Sequence, residues 1–433
     1  MIRIGYLTVA AALLFAGPAA AQSLGEEVET LLAQHPQVEA ARKNVKAAEQ
    51  SVRAAFSGFL PKLQVQGDAG YESTDSPTRR LAGEPTLNTY RNSASVIATQ
   101  NLFQGFQTTA NHEGEKISKD LADIALDSTE QSLLFDAAQA YLDVLRRLKI
   151  LELAVANEET IRKQLFLEDA RVNIGSGATV DVLFAKSRLQ IANERRVNFE
   201  GDLYLAFDTF NRVFGHLPET SKMKMPTVPS DLLPQTVAEA LEIALKENPS
   251  IRDSERAVDL AGQRARAAKS PYFPSLDLVG QANHQNDVAG VPGQRNDASV
   301  QLRMTWELYS GFNTEASASR AEFQHEASKD NRADVHRAVE EEVRQAWDQL
   351  ATAEDRLDVL NNAVNIATEV FHARQKLAES QREPLINVLD AQTEVFQAQI
   401  DAARVQFDTY ILTYRVLRAM GRLKPTVFAV AQK

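Results

Sequence analysis

The stretch Glu29–Tyr71, ETLLAQHPQVEAARKNVKAAEQSVRAAFSGFLPKLQVQGDAGY, returns in outline as Glu242–His284, EIALKENPSIRDSERAVDLAGQRARAAKSPYFPSLDLVGQANH. Prolines fix the register: Pro36 falls on Pro249 and Pro61 on Pro274, both 213 residues apart, and Gly67 falls on Gly280. Downstream the offset is 206, where Gly105-Phe106 matches Gly311-Phe312, Tyr141 matches Trp347, Val182-Leu183 matches Val388-Leu389 and Gly215 matches Gly421. The second copy is thus seven residues shorter, and the deletion lies between Gly67 and Gly105. A period this long exceeds solenoid units of roughly 20–50 residues. It marks a duplicated half-protein, suited to pseudo-symmetry about an axis.

Each half reads helix, strand, strand, helix, helix. In the first, a helix over Leu24–Phe56 is notched by Pro36 and stopped by Gly58 and Pro61. A strand is expected over Leu63–Tyr71, a Ser/Thr/Pro/Gly-rich loop over Glu72–Arg91 and a second strand over Ser93–Phe103, ended by Gly105. A very long helix follows over Thr108–Asn173, in which Ala137, Tyr141, Val144, Leu148, Leu151 and Val155 step by 4, 3, 4, 3, 4, the spacing of a coiled-coil seam. At 1.5 Å per residue it extends roughly 100 Å, far more than a compact domain needs. Gly175-Ser176-Gly177 breaks it, and Val180–Val213 returns as a hairpin partner. The second half predicts a helix over Val237–Ala268, strands over Leu276–Asn283 and Ala298–Tyr309, and helices over Glu315–Leu377 and Leu385–Met420. The resulting division is 1–21 signal peptide, 22–216 first repeat, 217–235 proline-rich connector, 236–421 second repeat and 422–433 short tail.

Met1–Ala21 has the parts of a secretory signal: basic Arg3, apolar Ile4–Phe15, a Gly17-Pro18 break and Ala19-Ala20-Ala21 before a mature start at Gln22. The apolar run falls short of the roughly 20 residues of a membrane anchor. The chain has no cysteine, which excludes disulfides, thiol chemistry, Cys-ligated zinc and a lipidated N-terminal Cys. The formal charge of −11 becomes −12 without Arg3 and argues against nucleic acid as a partner. The seven histidines show no metal-ligand spacing, and no phosphate loop or nucleophile elbow occurs. No cofactor, metal or enzymatic activity is expected.

The strand Ala298–Tyr309 alternates Val300, Leu302, Met304, Trp306 and Leu308 with Gln301, Arg303, Thr305 and Glu307. In Leu63–Tyr71, Leu63, Val65 and Tyr71 oppose Gln64, Gln66 and Asp68. Strands of about 10 residues with this pattern suit a tilted membrane span, and they also suit a small soluble sheet with one wet face. Four strands cannot close a membrane barrel, and open edges are not tolerated in hydrocarbon. Membrane strands would therefore require several chains, two giving eight strands and three giving twelve.

This pattern resembles the outer membrane efflux protein family, the TolC-like exit ducts of Gram-negative bacteria. The carrying segments are FLPKL and YFPSL (Phe59–Leu63, Tyr272–Leu276), LFQGF and LYSGF (Leu102–Phe106, Leu308–Phe312), the Gly175 to Asp181-Val182 tip, and Asn387-Val388-Leu389-Asp390-Ala391. The resemblance implies a mainly α chain whose duplicated helical hairpins form a periplasmic tunnel, with four strands per chain completing a 12-stranded barrel in a homotrimer. It further implies a duct in the outer membrane, conducting passively, with a periplasmic adaptor and an inner membrane transporter as partners. A secreted trimeric coiled-coil structural protein or adhesin is the alternative; it would need continuous heptads and no amphipathic strand pairs.

Relatives close the periplasmic end with aspartate rings, and of the two usual positions one matches, Asp390, while the other is Asn387. Three copies of Asp390 around one axis would repel one another, raise their pKa values and attract cations; a plain polar residue beside a helix start is the bland reading. Glu383 stands where the family often has a basic latch residue. Gly175, Gly177, Thr179, Asp181, Pro384 and Leu385 are candidates for adaptor contact, against a purely turn-forming role. In the other tip Gln381 stands where the first has Gly175, and Pro384 where it has Ala178. Trp306, Tyr309 and Tyr71 are candidates for an aromatic belt at the membrane interface, against buried strand aromatics. Tyr141 and Trp347 read as packing.

Overall fold

The computed structural model describes residues 23–83, 86–175, 177–380 and 382–429. The proposed signal segment, its cleavage point at Gln22 and the Gln381 substitution lie outside the described residues. The chain forms two compact units, one built from residues up to His35, Glu130–Ala240 and Val343 onward, the other from Pro36–Thr129 and Leu241–Glu342.

In the second unit, prolines set the helix starts. Helix α1 (Leu24–Gln34), which belongs to the first unit, ends at His35, held extended (φ −68°, ψ 130°) ahead of Pro36, and α2 (Pro36–Phe56) begins there. The same break recurs between α6 (Val237–Glu247) and α7 (Pro249–Ala268), where Asn248 accepts a hydrogen bond from the Ser250 N–H at 2.8 Å. The single helix expected over Val237–Ala268 is therefore two. After α2 come β1 (Lys62–Thr74), a short helix α3 (Pro77–Leu81) and β2 (Leu87–Gln104); after α7 come β3 (Ser275–Asn286) and β4 (Gln294–Thr305). The four strands make one antiparallel sheet in the order β1-β2-β3-β4.

Several strand boundaries differ from expectation, and β3 and β4 also reach three and four residues further toward their connecting turn than expected. Strands β1 and β2 run deep into the expected Glu72–Arg91 loop, pairing up to Thr74↔Leu87, and α3 occupies its middle. Strand β4 ends at Thr305, whose partner is Ser275. Pro274 precedes Ser275 and has no N–H to donate, so the ladder stops there although the side-chain alternation continues to Tyr309. Trp306 and Tyr309 thus lie beyond the strand, in the turn leading to α8 (Asn313–Glu379).

Each strand-to-helix turn uses two consecutive left-handed residues, Gly105-Phe106 (φ 56° and 67°) and Gly311-Phe312 (φ 62° and 65°). Gly105 is required twice over, since a Cβ there would sit 2.3 Å from the Ser270 carbonyl oxygen. Helix α4 (Gln107–Asn173) and α8 contribute to both units; each has 67 residues, about 100 Å of helix. Within the second unit α4 packs beside α7, with Arg252 on Asp127 at 3.0 Å, and α8 follows, with Lys269 on Glu322 at 2.7 Å.

The first unit holds α1, the remainder of α4 and α8, α5 (Thr179–Phe214), α9 (Leu385–Ala419) and α10 (Pro425–Ala429). Helix α10 falls in the stretch expected to be a bare tail; Phe428 stacks on Tyr414 at 5.2 Å between ring centres, and both are buried. Tyr141 is wholly buried, and its hydroxyl donates to the Lys224 carbonyl at 2.8 Å and accepts from the Lys224 N–H at 2.9 Å, tying the connector to α4. Burial pushes its pKa up to about 12. The apolar seam of α4 does not hold as a heptad in the single chain. Ala137, Tyr141 and Val144 are buried, but Val155 is 47% exposed, and Ile150, Ala154 and Ile161 face the core in its place. A 3.6-residue helix drifts about 20° per heptad, so a straight helix carries a 3.5-residue stripe off its first partner.

Candidate functional site

The sheet is built inside out relative to that of a water-soluble protein. Register places Leu63, Val65, Ala69 and Tyr71 of β1 on one face with Tyr90, Ala94, Val96 and Ala98 of β2, Leu278, Gly280 and Ala282 of β3, and Ala298, Val300, Leu302 and Met304 of β4. The opposite face carries Gln64, Gln66, Asp68, Arg91, Ser93, Ser95, Asp277, Gln281, Asn283, Asp297, Gln301 and Arg303. Along β2 the apolar-face residues are exposed while their polar-face neighbours are half-buried. The sheet is therefore curled toward its polar side, the reverse of hydrophobic-in packing. The polar face is internally paired: Arg91 donates to Asp68 and, at 3.2 Å, to Glu72; Asn101 donates to Asp277 at 2.9 Å and Asn283 to Asp297 at 2.8 Å.

Tyr71 lies on the apolar face, exposed and edge-to-face with its ladder partner Tyr90 at 5.4 Å. At the other end of the strands an aromatic group gathers around the strand-to-helix turns: Phe106 against Phe103 and Phe273, Tyr309 against Phe312, and exposed Trp306. Between Leu63 and Tyr71 the strand rises about 26 Å along its own axis, about 20 Å along the membrane normal at a tilt of about 40°, most of the roughly 25 Å apolar band of a membrane barrel. The strand spacing pointed to Trp306 and Tyr309; Tyr90 became visible only through the ladder, as the partner of Tyr71.

The hairpin tips are in the first unit. Gly175 takes a left-handed turn (φ +79°) after α4, and Thr179 starts α5 with Asp181 in its first turn, where the helix dipole favours a carboxylate. Gly177 packs on Val172, where a Cβ would meet the backbone nitrogen at 3.0 Å. Around this tip Ile174, Val180 and Leu183 are exposed; Val180 falls within the expected Thr179–Val182 contact segment, while Ile174 and Leu183 lie outside it. The other tip is different. Pro384 caps α9, Leu385 is buried, and Leu389, the repeat partner of Leu183, is 1% exposed against 60%. Val388, Leu389, Ala391 and Val395 join Ile161, Ala185, Ala192 and Phe371 in one core cluster.

Asn387 donates to Glu383 at 2.7 Å, and Arg374 of α8 reaches the same Glu383 oxygen at 3.3 Å. Asp390 is half exposed and accepts from Arg188 of α5 at 2.6 Å. The structure thus brings Asn387 and Glu383 together and gives both carboxylates a guanidinium partner. Arg188 was not marked by sequence, because pairing across 202 residues leaves no local pattern; Arg374 is only nine residues from Glu383 but was not singled out either.

Among the described residues, Glu322, His325 and Glu326 on α8 bring three possible metal-ligand atoms within 4.8 Å. Glu322 is taken by Lys269 at 2.7 Å and Glu326 by Lys329 at 2.8 Å, so the group reads as an ion-paired helix surface. The Lys269 ammonium holds the Glu322 carboxyl below its ordinary pKa.

The profile of the family described as "Outer membrane efflux protein" matches residues 28–216 and 240–422. The outer membrane efflux protein BepC of Brucella suis is 25% identical over 385 residues, covering 88% of this chain and 81% of BepC. The outer membrane protein TolC of Escherichia coli is 23% identical over 410 residues, covering 86% and 82%. The crystal structure of the outer membrane protein VceC from Vibrio cholerae superimposes with a TM-score of 0.80 at 15% identity, over 92% of this chain and 96% of VceC. The inside-out sheet, the paired long hairpins and a profile match over most of the sequence agree: the chain belongs to the outer membrane efflux protein family.

Proposed function

We infer that this chain is an outer membrane exit duct, conducting substrates passively from an inner membrane transporter to the outside in a tripartite efflux or type I secretion system. The observation that carries the reading is the four-stranded sheet with an exposed apolar face and two outer edges, β1 and β4, that no described strand pairs. Unpaired edges cannot persist in hydrocarbon, so copies of the chain must close one barrel; three copies give the twelve strands of a homotrimer, with β4 of one against β1 of the next. The two repeats, 22–216 and 236–421, then alternate around the axis. The exposed apolar tip between α4 and α5 is the surface we assign to a periplasmic adaptor, with Gly175, Gly177, Thr179 and Asp181 shaping it and Pro384-Leu385 at the second tip. Asp390, Asn387 and Glu383 are assigned to the periplasmic constriction.

The test compares neighbouring residues of β4. Arg in place of Leu302 puts a charge on the lipid-facing side, at a cost of about 2–4 kcal/mol per site near the bilayer midplane, and should abolish the heat-modifiable outer membrane oligomer. Arg in place of Gln301, on the polar side, should leave it intact. Equal tolerance of both would refute the assignment of faces.

A further inference from the structure

We propose that Arg188 sets the ion response of the duct by cancelling the charge of Asp390 inside each protomer, so that the constriction presents three neutral ion pairs instead of a ring of bare carboxylates. The proposal rests on the assignment of Asp390 to the periplasmic constriction. Its own support is local. Arg188 stands on the third turn of α5 and Asp390 on the second turn of α9, with Nη2 and Oδ1 2.6 Å apart. The backbones beneath them are fixed by the cluster of Ala185, Val388, Leu389 and Ala391, each no more than 5% exposed. The geometry is therefore set by helix packing and does not depend on the strength of a half-exposed ion pair, which by itself contributes little stability.

The electrostatic consequence follows from charge and distance. Three isolated carboxylates around a narrow axis would add their fields and concentrate multivalent cations there. A carboxylate with a guanidinium in contact acts as a dipole, whose field falls off faster than that of a charge and fades within a screening length of about 8 Å at physiological ionic strength. The other carboxylate in the tip, Glu383, is matched in the same way by Arg374. Arg188, Asp390, Arg374 and Glu383 sum to zero charge per protomer, so neither candidate carboxylate is left to recruit a cation. The expectation from sequence, in which Asp390 repels its copies and attracts cations, lacked this partner. Arg188 is thus a specificity-determining residue for what the duct admits, and its role is distinct from holding the tip closed.

The experiment uses the full-length oligomer in planar lipid bilayers, with hexaamminecobalt(III) as the probe on the hairpin side. Wild-type current should change less than about twofold at a concentration that suppresses Arg188→Gln at least about tenfold. Arg188→Gln/Asp390→Asn should be insensitive again, and so should the swap Arg188→Asp/Asp390→Arg. Arg188→Met, which retains the aliphatic stem, serves if the glutamine variant fails to assemble. The natural chain has no cysteine, so Asp390→Cys offers a single thiol for a cationic methanethiosulfonate reagent. If that reagent leaves the current unchanged, Asp390 does not line the path and the constriction assignment fails. If the thiol responds but Arg188→Gln acquires no cation block, or if wild type is already blocked, the charge-cancelling role of Arg188 is overturned.

Discussion

Replacing Gly105 by alanine tests the strand-to-helix turn against its own duplicate. Gly105 and Gly311 hold matched positions with nearly the same backbone, φ 56° and 62°. Alanine in the left-handed region costs about 1–2 kcal/mol. At Gly311 nothing lies within 4 Å of where a Cβ would be, so this is the whole cost. At Gly105 the methyl would lie 2.3 Å from the Ser270 carbonyl oxygen and 3.0 Å from that residue's carbonyl carbon and Cα. The obstructing atoms are backbone in the turn that feeds β3, so no side-chain rotation relieves them. Shifting that turn adds an overpacking cost of about 1–3 kcal/mol. With about 2–4 °C per kcal/mol for a unit of this size, Gly105→Ala should melt about 2–12 °C below Gly311→Ala. Circular dichroism of the purified oligomer and conversion of its unboiled gel band give the two temperatures. Equal melting of the two variants would show that the close approach to Ser270 does not govern this turn.

Other perturbations address the first unit. Tyr141→Phe leaves both the N–H and the carbonyl of Lys224 without their partner and should cost about 1–3 kcal/mol with no change in conductance; unchanged thermal stability would sink the role given to that hydroxyl. His216 contacts Glu27 at 3.1 Å; burial alone would lower its pKa, but the Leu217 carbonyl and the Glu27 carboxylate outweigh it and the pKa is raised. A raised folded pKa stabilises below the unfolded value of about 6.5 and is lost as pH rises through the folded one. The stability advantage of wild type over Glu27→Gln should therefore be full below the unfolded value of about 6.5 and shrink as pH rises through the raised folded one, and a pH-independent gap would contradict it. Leu183→Asp should assemble normally yet lose transport, whereas Leu389→Asp at the matched buried position should prevent assembly; the opposite ranking would reject the exposed tip as a docking surface.

The ends of the long helices were legible to within two residues, because Gly105, Gly175-Ser176-Gly177, Gly311 and Pro384 are backbone breakers that act locally. The strands were less legible, for two physical reasons. Alternation is a property of side chains, whereas a strand ends where its partner ends; Trp306 to Tyr309 kept the alternation after Pro274 had removed the ladder. Conversely, Ser73-Thr74 and Leu87 to Thr89 have the composition of a loop but belong to strands, because their neighbours supply the hydrogen bonds. At the hairpin tips the candidate residues were found by motif, but their electrostatic state was not. It depends on Arg188, placed there by packing of helices distant in sequence, and on Arg374, brought to Glu383 by the turn that ends α8. The seam of α4 was read correctly as far as Val144 and then parted from the core, where drift of a straight helix outweighs the repeat.

The inverted sheet also dictates an order of biogenesis. The first unit is compact and has fully buried side chains of its own, among them Tyr141, Phe210, Phe396 and Tyr414. The sheet has no such core, since in water its apolar face is unsatisfied and in lipid its edges are. On the proposed barrel shared between copies, its folding is second order or higher in chain concentration and coincides with insertion. A newly exported chain would wait with finished hairpins and an unfinished barrel. Mutations that slow the meeting of edges would then show as periplasmic degradation at low expression, with the completed oligomer unaffected once formed.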